Sequence, residues 1–72
     1  MIQAYRDSLE IGQVIEVPDD ENRWKKAVLK EKYRDTCLLE YKIPYGSRLM
    51  SPSYIWLYLY SKGKRQRMGM DA

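Results

Sequence analysis

In several segments of this chain apolar residues recur at every second position, and a period of two points to strands rather than helices. In residues 11–17, Ile11, Ile15 and Val17 fall on one side, with Gly12 and Glu16 on the other, which predicts a first strand. Pro18-Asp19-Asp20-Glu21-Asn22 breaks the alternation with a proline and turn-forming or charged side chains, and reads as a solvated loop. Residues 24–33 contain several helix formers, but they lack an i, i+3, i+4 stripe and sit between two better strand candidates, so a second strand is expected. Arg34-Asp35 supplies a tight turn. Residues 36–43 then carry the clearest alternation in the chain, with Cys37, Leu39, Tyr41 and Ile43 on one side. Pro44-Tyr45-Gly46-Ser47 forms another turn, residues 48–50 a short fourth strand interrupted by Pro52, and residues 51–54 a single helical turn. In 55–60, Ile55, Leu57 and Leu59 point one way and Trp56, Tyr58 and Tyr60 the other, so a fifth strand is expected there.

Five short strands with turns between them are too little for a sandwich in a chain of this length. The fold expected is all-β: a small, half-open, five-stranded SH3-like barrel over residues 11–60. Closure would remove unpaired strand edges. Residues 1–10 form a lead-in that fits either a short helix or an irregular strand. Residues 61–72 lose all periodicity and are expected to be a disordered basic tail. The core is expected to gather Ile11, Ile15, Val17, Ala27, Leu29, Leu39 and Leu57, with Cys37 as a small buried thiol.

Composition narrows the chemistry. Seventy-two residues make one domain, and the chain has one cysteine and no histidine. An intrachain disulfide, a Cys/His zinc site and a Ser–His or Cys–His pair are therefore all excluded. The carboxylates are scattered through polar stretches, so no enzyme, metal site or cofactor is expected. Sparse cysteine use fits a reducing cytoplasmic setting. The apolar run 55–60 is far shorter than the roughly 20 residues of a transmembrane helix, and no cationic leader precedes an apolar stretch, so no membrane partner is expected. A start at methionine and an end about a dozen residues past the last expected strand suggest a complete small gene product of the bacterial or mobile-element kind. Residues 1–60 carry nine Lys/Arg and nine Asp/Glu, so the formal net charge of +3 comes entirely from the last twelve residues.

The order Ile11-Gly12, then Trp24 with Ala27, then Thr36-Cys37-Leu38-Leu39-Glu40-Tyr41, then Tyr45-Gly46-Ser47-Arg48, then Ser53-Tyr54-Ile55 resembles a Tudor domain of the SH3-like barrel class. The resemblance covers about residues 11–56 and is closest over 34–48. It implies a non-catalytic reader that holds a methylated arginine or lysine in an aromatic cage, where ring quadrupoles attract a weakly hydrated cation. Carried over, it places Trp24, Tyr41 and Tyr45 at cage positions and Ser47 at the polar position after Tyr-Gly. Asp19 and Asp20 then lie in the loop where the family has its first cage aromatic.

Two partner classes follow from the remaining residues. Trp56, Tyr58 and Tyr60 on one solvent face would make an apolar patch suited to a protein or peptide, or to a second copy of the chain. Lys62, Lys64, Arg65 and Arg67 directly after that stripe pair cations with stacking faces, as single-stranded nucleic-acid binders do. The leading expectation is a binding module for a protein or peptide, with a cation site among its aromatics. The alternative is a nucleic-acid-binding barrel that uses the aromatic last strand and the tail.

Overall fold

The computed structural model describes residues 2–19 and 21–62. The elements run α1 (Ile2–Ser8), β1 (Val14–Pro18), β2 (Trp24–Lys32), β3 (Cys37–Ile43), β4 (Gly46–Met50) and α2 (Tyr54–Tyr60). The four strands form one antiparallel meander in the order β1-β2-β3-β4. Its register sets Ile15 opposite Ala27, Leu29 opposite Leu39, and Leu39 opposite Met50. Facing residues share a side of the sheet, so these belong to one apolar face that spans all four strands. A register shift between Leu29 and Glu31 lets the longer β2 serve both neighbours.

Both helices contribute to a single core on that face. Ile15, Val17, Ala27, Leu29, Cys37 and Leu39 are buried there beneath Tyr5 and Leu9 from the N-terminal segment and Tyr54 and Leu57 from α2. Every expected core residue is therefore inside except Ile11, which is 60% exposed. The reason lies in Gly12, whose φ of +93° turns the chain and delays the strand to Val14. Gly12 N–H still reaches the Leu29 carbonyl at 2.7 Å, but Ile11 is carried outward. The lead-in takes the helical option as α1.

The expected fifth strand over 55–60 does not form, and the sheet stays open. Instead Ser53 caps a helix: its Oγ accepts the Trp56 N–H at 3.1 Å. The helix is anchored to the β2–β3 turn by Tyr54 N–H to the Asp35 carbonyl (3.2 Å) and by the Tyr54 hydroxyl, which donates to the Tyr33 carbonyl at 2.6 Å. Helical geometry turns Tyr54 and Leu57 into the core and leaves Ile55 and Leu59 58% and 52% exposed, reversing the inward face expected of a strand. Ser61, counted with the tail by sequence, is buried and donates its N–H to the Leu57 carbonyl at 2.8 Å. The rest of the expected tail, 63–72, lies outside the described residues. No helix among the described residues is long and apolar enough to cross a membrane.

Candidate functional site

Strand alternation extends the inner face past the core to a polar end. Lys25 faces Val17 across β1 and β2, and Tyr41 faces Arg48 across β3 and β4. The Lys25 ammonium lies 3.6 Å from the centre of the Tyr41 ring, a cation–π contact. On α2, Trp56 and Tyr60 are four residues apart and share a face, with ring centroids 5.5 Å apart and planes tilted by 45°. Between that pair and the sheet opens a pocket of about 360 Å³, lined by Asp19, Lys25, Tyr41, Met50, Trp56 and Tyr60 among others.

The two charged groups of the pocket differ in how fully they are used. Asp19 Oδ1 accepts the N–H groups of Glu21 (2.8 Å) and Arg23 (2.9 Å), which folds the 18–23 loop over its side chain. The Arg23 backbone bond, then that of Glu21, hold the Asp19 carboxyl below the usual carboxylate range. Arg23 Nε adds an ion pair to Oδ2 at 3.8 Å. Lys25, by contrast, has no hydrogen bond and no short ion pair among the described residues; it contacts the Tyr41 ring, and its charge acts on Asp19 from a greater distance.

The residues expected to form a cage are not gathered. Trp24 lies opposite Pro18 at an even position of β2, so the pleat sends it to the face away from Tyr41. Tyr45 sits in the two-residue loop of the β3–β4 hairpin and is 99% exposed. Ser47 is also on the outer face, where its hydroxyl donates to Glu40 Oε2 at 3.0 Å. Asp19 does line the pocket, while Asp20 lies outside the described residues.

Nor do Trp56, Tyr58 and Tyr60 make one outward stripe. Successive helical residues diverge by about 100°, so Tyr58 turns away from its neighbours. It packs edge-on against Tyr5 of α1, with centroids 5.4 Å apart and planes at 78°. Lys62 reaches Glu16 at 3.6 Å and stands 6.0 Å from the Trp24 ring, while Lys64, Arg65 and Arg67 lie outside the described residues.

Lys25 and Met50 are pocket residues that no motif singled out. Lys25 was nevertheless readable from parity, since Lys25, Ala27 and Leu29 alternate onto one face. The buried Cys37 thiol is pushed up to about 11 by loss of solvent, so it is neutral and a poor nucleophile at ordinary pH. Among the described residues, no group of three Cys, Asp or Glu side chains gathers to hold a metal.

The chain matches no protein-family model, no curated protein and no solved structure. The class its structure defines is a mostly β, four-stranded antiparallel meander with two short helices.

Proposed function

We propose that this chain is a non-catalytic binding module that engages a protein or peptide through the pocket between the sheet and α2. The observation that carries the reading is the convergence of Tyr41, Met50, Trp56 and Tyr60 on one open cavity. Tyr and Trp give large contact area with a polar tip, and Met adapts its shape, which is the composition of an interface anchor site. Met50 also ends β4, the edge strand of the sheet, beyond which no further strand pairs among the described residues, and an extended segment could pair there. The open edge and the pocket therefore adjoin.

The finer kinship, a Tudor-type member of the SH3-like class, is supported by the residue order over 34–48 and by the antiparallel meander with its Tyr-Gly turn. Its cage would need other rings than Trp24 and Tyr45. A second reading, single-stranded nucleic acid, is favoured by the cations Lys62, Lys64, Arg65 and Arg67 that follow the aromatic helix.

Affinity capture from the source lysate, with and without nuclease, separates the two. The protein reading expects nuclease-resistant capture that Trp56→Ala and Tyr60→Ala abolish and removal of residues 63–72 leaves intact. Capture that nuclease or tail removal eliminates, with both aromatic variants binding as wild type, would reverse the choice. Circular dichroism confirms that the variants fold.

A further inference from the structure

We infer that the pocket selects a peptide carrying a carboxylate beside an apolar side chain, with Lys25 as the residue that reads the carboxylate. The inference rests on the pocket being the binding site, as proposed above. Asp19 is occupied by two backbone donors and Arg23, and the charges of Arg23 and Lys25 offset its own, so it offers a guest little free acceptor capacity. An ammonium carries three N–H donors, and a ring face satisfies only one side of it. Lys25 therefore offers, at the pocket wall, donors that no described residue accepts.

A second cation strengthens the case. Arg48 stands directly across from Tyr41 on the same face, is exposed, and has no ion-pair partner among the described residues. Two cationic residues thus share the Tyr41 face, Lys25 against the ring and Arg48 opposite it in register. β4 contributes no carboxylate, and Glu40 points to the opposite face, where Ser47 holds it. A guest cation would find the Tyr41 ring face already taken by Lys25 and would be repelled by it. A guest carboxylate instead gains a charge-assisted hydrogen bond, while Met50, Trp56 and Tyr60 accept its apolar neighbour. This is the reverse of the methyl-cation preference that the sequence resemblance implies.

The test is an NMR titration of the ¹⁵N-labelled full chain with three short blocked peptides. Each has a central phenylalanine flanked by aspartate and glutamate, by asparagine and glutamine, or by two lysines. The acidic peptide is expected to bind about tenfold more tightly than the basic one, to perturb Lys25, Tyr41, Met50 and Trp56, and to weaken with added salt. Lys25→Gln should shrink the preference to about twofold or less, Lys25→Glu should invert it, and Lys25→Arg should keep it, each with a native-like amide spectrum.

Equal or tighter binding of the basic peptide, or an unchanged preference in Lys25→Gln, overturns the inference while leaving the pocket as the site. Failure of all three peptides to bind overturns both. A hexathymidylate strand that perturbs the same residues when the acidic peptide does not would also overturn it, because the anion read there would be a phosphate.

Discussion

Replacing Tyr54 by Phe removes one oxygen atom and tests how α2 is held. The Tyr54 ring is 2% exposed and its hydroxyl donates to the Tyr33 carbonyl at 2.6 Å, joining segments 21 residues apart. Phenylalanine keeps the ring and its packing, so the loss is the hydrogen bond plus the cost of a carbonyl left without its donor. A net intramolecular hydrogen bond contributes about 1 kcal/mol, and a stranded buried acceptor about 1–3 kcal/mol. Tyr33 is itself exposed, so water can partly replace the donor, which puts the expected loss at about 1–2 kcal/mol. At roughly 0.05–0.15 kcal/mol per residue, the whole chain is stable by only about 4–11 kcal/mol. With an m-value of about 1 kcal/mol per molar urea, the midpoint should fall by about 1–2 M. Urea unfolding followed by far-ultraviolet circular dichroism measures this without relying on tyrosine emission. Tyr33→Phe is the control: its hydroxyl bonds Glu31 at the exposed surface and should cost less than about 0.5 kcal/mol. A Tyr54→Phe protein within about 0.3 kcal/mol of wild type, or a Tyr33→Phe loss as large, would refute the reasoning.

Leu39 is fully buried between Leu29 and Met50 in the sheet, so Leu39→Ala should cost about 2–5 kcal/mol in the same urea assay. Gly46 has a φ of +151° with open space where a Cβ would sit, so Gly46→Ala should lose about 1 kcal/mol through backbone strain alone, read as a lower thermal midpoint. Burial pushes the Tyr5 hydroxyl up to about 12 and the Cys37 thiol up to about 11. Unfolded chains release these protons first, so the stability they contribute is whole below about pH 9 and is lost as pH rises through 11 and 12. A circular-dichroism base titration should show that decline, and Tyr5→Phe should lessen its upper part.

The first three strands were legible because each buries one face, and burial on one face writes itself as alternation. Ala27 and Leu29, then Cys37 and Leu39, show it directly. Ile11 continued the same pattern on paper but not in space, because periodicity registers hydrophobicity and is blind to the positive φ of Gly12. The segment 55–60 is the larger departure. It has an apolar or aromatic side chain at every position, so periods of 2 and 3.6 fit it equally, and β-propensity favours a strand. The decisive signal was Ser53, an N-cap residue three positions before Trp56, whose amide it accepts. The cage failed for a simpler reason: neighbouring residues of a strand alternate faces, and Lys25, next to Trp24, is the one on the Tyr41 side, so Trp24 falls on the other.

The choice between strand and helix in 54–60 decides the site as well as the fold. As a strand, Trp56, Tyr58 and Tyr60 would line one solvent face; as a helix, Tyr58 packs on Tyr5 while Trp56 and Tyr60 roof the pocket over Tyr41. Seven residues cannot sustain a helix alone, since nucleation is unfavourable and too few bonds follow it. What fixes the helix is its surroundings: the Ser53 cap, the Tyr54 hydroxyl, buried Leu57 and the Ser61 amide. Pocket and anchors are therefore coupled, although Tyr54 does not line the pocket. Tyr54→Phe should then raise the dissociation constant of the acidic peptide by a few-fold as α2 samples detached states, with faster amide exchange at Leu57 and Ser61. Leu39→Ala, at the centre of the sheet, should lower stability more yet change affinity less wherever the protein remains folded. The two measurements together decide the point, because affinity that tracks global stability across both variants would show that α2 opens only when the whole chain unfolds.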